Sequence, residues 1–95
     1  MHGAGLIAIE RNEQIVKHGR TIKQDVEQNP DRELADAASL LIAKSFTDRD
    51  RVEYESWGWD KELWRKMATK PYRERLIIAG ALIAAEIDRL NAISE

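Results

Sequence analysis

The amino-acid sequence predicts an all-α fold of three main helices, with a short further helix in a tryptophan-containing loop, assembled as a homo-oligomer. Three observations carry this. Apolar residues recur at helical spacing in three separate stretches. Asn29-Pro30 and Pro71 stand where helices begin. The last stretch is apolar on both sides of its cylinder, more than one copy of so small a chain can cover.

The first helix is expected over residues 6–18. Ala8, Ile9, Ile15 and Val16 share one arc at 100° per residue, Glu10, Gln14, Lys17 and His18 lie opposite, and Gly19 is the C-terminal stop. Asn12 sits within the apolar arc, where a polar side chain needs hydrogen-bond partners; a satisfied core amide is the plainer reading and a ligand contact the other. The second helix is expected over residues 30–45, with Asn29 as cap, Pro30 at the first position and Asp31 and Glu33 at the positive end of the dipole. Its buried stripe is Leu34, Ala37, Ala38, Leu41 and Ile42. Periodicity fails over residues 47–70, which hold all three tryptophans and Tyr54. A loop is expected there, interrupted by a short helix over residues 61–67 capped by Asp60.

The third helix is expected over residues 71–92. Tyr72, Leu76, Gly80, Ile83, Ile87 and Leu90 recur at spacings of four and three, the seam of a helix packed on a helix. Ile78, Ala81, Leu82 and Ala85 occupy the opposite side. This side, with Ile78 and Leu82 as its largest members, is expected to meet a second copy of the chain.

The chain has 95 residues, read as one domain over 1–95, with a net charge of −2 from 15 basic and 17 acidic residues. That balance gives no global reason to bind duplex nucleic acid or an anionic membrane. The longest uncharged run, residues 76–85, is ten residues, about half of the roughly 20 that span a bilayer. There is no cysteine, hence no disulfide or thiolate chemistry, and no signal peptide is read in residues 1–9. The reducing cytoplasm is the expected compartment.

Ile9-Glu10-Arg11 with Gln14-Ile15, then Gly19 and Thr21 with Asp25, Glu33-Leu34-Ala35 with Ala37-Ala38, the tryptophan cluster, and Ala79-Gly80-Ala81-Leu82-Ile83 with Ala85-Glu86-Ile87-Asp88-Arg89-Leu90 form one ordered pattern. It resembles a family of small proteins encoded by tailed bacteriophages and prophages. The final segment is its most specific element. Arg20 stands where an aromatic usually follows the glycine, and Lys23-Gln24-Asp25 where an acidic or histidine-rich turn is usual. The resemblance implies a phage or prophage origin and an accessory role inside the infected cell. Some small phage-encoded oligomers sequester the nucleotide signals of bacterial defence.

Two constellations point to chemistry. Glu10-x-x-Glu13 and Glu33-x-x-Asp36 are similar in spacing to the carboxylates of MazG-type nucleoside triphosphate pyrophosphatases, which implies magnesium held between two helices. Against this, Glu10 and Glu13 lie away from the apolar arc of their helix, and Glu33 and Asp36 lie across from the buried stripe of theirs. Glu13 with Lys17 also reads as an ordinary i,i+4 pair. The second constellation is a binding set. Arg11, Asn12, His18, Arg20, Thr21 and Lys23 gather positive charge and donors around the first turn. Trp57, Trp59 and Trp64 offer stacking faces, and Arg73 and Arg75 open the third helix.

Neither His2 nor His18 has metal-ligand spacing, and no nucleophile motif or glycine-rich phosphate loop is present. The leading expectation is a homo-oligomer that binds a small anionic, nucleotide-derived signal without a cofactor, in pockets between chains. The rivals are a magnesium-dependent MazG-like pyrophosphatase and a module that applies the tryptophan loop to a host protein.

Overall fold

The computed structural model describes residues 2–42 and 60–94, and among them the chain forms five α-helices and no strand. Helix α1 spans Gly3–Val16. Beyond it Gly19 adopts φ +65°, and the Arg20 N–H donates to the Gln14 carbonyl at 2.9 Å, which closes the helix end. Helix α2, Ile22–Gln28, lies where the sequence pattern predicts only a turn. Seven residues with two apolar positions are too few to show a period. Its start is fixed by the Thr21 hydroxyl, which accepts from the Gln24 N–H at 3.2 Å.

Asn29 therefore does not begin the next helix. It ends α2, its N–H donating to the Asp25 carbonyl at 2.9 Å. Helix α3 starts three residues later than predicted and spans Glu33–Leu41; the rest of the predicted second helix, residues 43–45, lies outside the described residues. Helix α4, Lys61–Ala68, begins as its sequence predicts, with the Asp60 carboxylate accepting from the Glu62 N–H at 3.0 Å. Helix α5, Tyr72–Ile93, follows Pro71. None of the described helices is long and apolar enough to cross a membrane.

Helix α5 is the axis on which α1, α2 and α3 pack. The apolar core joins Leu34, Ala37, Ala38 and Leu41 of α3 to Ile78, Ala79, Leu82 and Ala85 of α5, closed at one end by Ala68 of α4. The alanines allow the close approach that an α3–α5 contact of this kind needs. Ile42, expected in the stripe, is exposed.

Two helices face the reverse of their sequence pattern. In α5 the face reserved for a partner is the internal core, with Leu82 fully buried, whereas the seam residues Tyr72, Leu76, Ile83, Ile87 and Leu90 are exposed. Both faces are apolar, so composition could not rank them. The small residues decided it: Ala79, Ala81 and Ala85 flank Ile78 and Leu82, and α3 docks where side chains are shortest. In α1 the apolar arc Ala8, Ile9 and Val16 is exposed, and so is Asn12. Ile7, Arg11 and Gln14 face inward instead. Ile7 fits against Gly80, where a Cβ would meet its Cδ1 at 2.5 Å and its Cγ1 at 2.9 Å. That contact fixes the rotation of α1 and carries Arg11 and Gln14 into the interior.

Candidate functional site

Beside the Ile7–Gly80 contact, buried polar side chains lie where α1 and α2 meet α5. Arg11, Gln14, Asp25, Glu86 and Arg89 are all buried. Arg11 on α1 donates to the Arg20 carbonyl at 3.1 Å and approaches the Asp88 carboxylate at 3.5 Å. Gln14 donates to Glu10 at 3.4 Å. Asp25, on α2, accepts from the Asn29 side chain at 3.0 Å. On α5, Arg89 makes a two-point contact with Glu86, at 2.6 and 3.1 Å, and also donates to the carbonyls of Pro30 at 2.9 Å and Asp31 at 2.7 Å. That arginine ties the α2–α3 connection to α5, and Glu86 raises its already high pKa.

The cluster is under-satisfied. Arg11 Nε, Gln14 Oε1 and Asp25 Oδ2 are buried without a hydrogen-bond partner, a costly state for groups removed from water. Burial pushes the Asp25 carboxyl above its ordinary value, and Glu86 adds to this; Asn29, Arg11 and Arg20 pull it back. Burial likewise lowers the pKa of Arg20, opposed by Asp25 and Glu10.

Above the cluster, at the corner between α1 and α2, opens a polar recess of about 280 Å³ lined by His18, Arg20, Gln24, Gln28 and Asn29. Its inner wall is connected to the buried network, because Asn29 bonds to Asp25 and the Arg20 carbonyl receives Arg11. Of the sequence-predicted binding residues, His18 and Arg20 meet here. Thr21 caps α2 at the rim, and Arg11 supports from beneath.

The other candidates lie elsewhere. Arg73 lines a second, more apolar recess of about 410 Å³ with His2, Leu6, Ile7, Leu76 and Ile77. Arg75, expected in the binding set at the start of the third helix, is buried; it donates to the carbonyls of Leu41 at 2.8 Å and Lys70 at 3.0 Å, so it closes the end of α3. Trp57, Trp59 and the side chain of Trp64 lie outside the described residues.

Three of the four carboxylates of the magnesium reading are separately engaged, and the fourth is exposed. Glu10 accepts from Gln14, Glu13 pairs with Lys17 at 3.9 Å, Glu33 accepts from the Asp31 N–H at 2.9 Å, and Asp36 is exposed. Among the described residues no three His, Asp or Glu side chains gather as a metal site.

Sequence reasoning missed Gln14, Gln24, Asp25, Gln28, Asn29, Glu86 and Arg89. A signal for Gln14 existed in the i, i+4, i+7 row Ile7-Arg11-Gln14, which a search for apolar arcs passes over. No family model, curated protein or solved structure matches the chain.

Proposed function

We propose that this protein is a phage-type accessory protein that binds and sequesters a small, anionic, nucleotide-derived signal as a homo-oligomer. The observation that carries the reading is the recess at the α1–α2 corner, where Arg20 and His18 stand beside three side-chain amides. An arginine fork suits phosphate oxygens, and amides donate and accept in the two-point manner that base edges and ribose hydroxyls require. Its volume of about 280 Å³ lies just below the roughly 300 to 1,000 Å³ usual for small-molecule pockets, room for part of such a ligand. Arg11, bonded to the Arg20 carbonyl, and Asp25, bonded to the Asn29 amide, fix two of the five lining residues from within, as a preorganised binding site needs. The half-exposed seam of α5 supports the oligomer, and the phage resemblance supports the biological setting.

The test is incubation of the protein with mononucleotides, cyclic dinucleotides, cyclic ADP-ribose isomers and nucleoside triphosphates, with and without magnesium, followed by denaturation and chromatography. An intact ligand recovered from the protein fraction is the expected result. Arg20→Gln should lower retention at least tenfold with little change in melting temperature. New products in the magnesium arm would make the protein a pyrophosphatase, and no retained ligand in any arm would defeat the binding reading.

A further inference from the structure

The recess at the α1–α2 corner offers an anion an arginine that is already engaged. Arg20 faces Asp25 and Glu10, Arg11 faces Asp25 and approaches Asp88, and Arg89 holds Glu86 in a two-point contact. The arginines of the polar joint are thus matched by at least as many carboxylates. An anion entering beside Arg20 adds negative charge to a cluster already balanced and partly removed from water, which is costly. A proton on one carboxylate restores the balance.

The carboxylates differ in how readily they take that proton. Glu86 is fixed by Arg89 at 2.6 and 3.1 Å, the Asp88 side chain is 43% exposed and solvated, and Glu10 is half-buried and accepts from Gln14. Asp25 is 1% exposed, and of its two oxygens only Oδ1 has a partner, the Asn29 amide at 3.0 Å. Burial already pushes this carboxyl above its ordinary value of 3.8. Its neighbours also tie it to the recess, because Arg20 and Asn29 both belong to the lining.

We propose that anion binding in the recess is coupled to uptake of a proton by Asp25. The proposal rests on the binding reading above and gives that site its regulation. The anion engages the Arg20 guanidinium, and Asp25, which shared that charge, takes a proton from solvent on Oδ2 and becomes a neutral acid. Oδ1 remains an acceptor, so Asn29 keeps its orientation. A singly charged anion and its proton leave the net charge of the joint unchanged. The anion's field favours the protonated acid, so the complex holds the proton to higher pH than the free protein does. Affinity is therefore full below the free protein's value and is lost as pH rises through the higher value of the complex.

The probes are inorganic sulfate and 3′,5′-cyclic uridine monophosphate, whose own charges stay constant over the pH series. His18 is the other titratable group of the lining, so the series is run in the His18→Gln background. From about pH 8 to about pH 4.5, affinity measured by equilibrium dialysis should rise roughly three- to tenfold, with a slope no steeper than the tenfold per pH unit of a single proton. With Asp25→Asn added, affinity should be flat over the same range, and at neutral pH tighter than with Asp25. The carboxyl carbon resonance of Asp25 in the native protein needs no variant: its titration midpoint should move to higher pH when either anion is added. Binding that ignores pH, a pH dependence that survives Asp25→Asn, or an unmoved midpoint at saturating anion would overturn the coupling and leave the recess standing. Retention of neither anion at any pH would defeat the recess as an anion site, and the coupling with it.

Discussion

Leu82 and Ile83 are neighbours on α5 with opposite fates, and truncating each to alanine tests the assignment of its two faces. Leu82 is 0% exposed between α3 and α5, and Ile83 is 47% exposed. Removing a fully buried leucine side chain costs the transfer term and the cavity it leaves, about 3 to 5 kcal/mol. A domain of this size holds roughly 5 to 14 kcal/mol in total. Leu82→Ala should therefore lower the melting temperature by roughly 12 to 40 °C, at about 4 to 8 °C per kcal/mol.

For Ile83 only the covered half of the side chain is lost within one chain, about 1 kcal/mol, and alanine's higher helix propensity returns a few tenths. Its effect should grow with protein concentration, where association adds to stability, and fade on dilution. Urea titrations followed at 222 nm over a hundredfold concentration range measure both. If Ile83→Ala proved as destabilising as Leu82→Ala in dilute solution, the two faces would be assigned the wrong way round.

Other substitutions probe the polar half and the α1 contact. Because burial raises the Asp25 pKa, the folded chain binds that proton more tightly than the unfolded one; the resulting stabilisation is full below the ordinary value of 3.8 and lost as pH rises through the raised one. Asp25→Asn keeps the shape without the titration, so at pH 7 it should match or exceed the parent in urea and flatten the pH dependence above 4; a large loss at pH 7 with an unchanged pH profile would refute this. At Gly80, alanine gains about 1 kcal/mol of helix propensity against the displacement of a partly exposed Ile7 side chain, and should be near neutral. Gly80→Val adds two more carbons where a Cβ alone would stand 2.5 Å from Ile7 Cδ1, and should undock α1, read as lost helical signal and faster amide exchange over residues 3–16.

The all-α class was legible because helix-length apolar rows and helix starts are local signals; α4 and α5 follow them closely, while α3 begins three residues past Pro30. Leu34, Ala37, Ala38 and Leu41 are buried as their spacing requires. The choice between two apolar faces of α5 was not legible, since Ile78-Leu82 and Ile83-Ile87 are alike in composition and only the helices around them distinguish the two. The rotation of α1 was hidden for a related reason: it is set by Ile7 against Gly80, residues 73 positions apart in sequence. Within the site, His18 and Arg20 could be read from charge near a turn. Asp25 could not, because it lies on a helix whose existence depends on one hydroxyl cap.

The two halves of the molecule are held by different physics. Helix α3 is fixed to α5 mainly by apolar burial, with Arg75 bonded to the Leu41 carbonyl at its end. Helices α1 and α2 are fixed by Ile7 at one point and otherwise by Arg11, Gln14, Asp25, Glu86 and Arg89, whose attractions offset much of the desolvation they require and leave three atoms unpaired. An apolar face in place of Arg11 and Gln14 would attach α1 more firmly, so stability does not explain them. If the recess binds a ligand as proposed, the network that is expensive for the fold has a use, because Arg11 and Asp25 bond to Arg20 and Asn29 of its lining. The α3–α5 core would then be the support against which that polar joint is positioned.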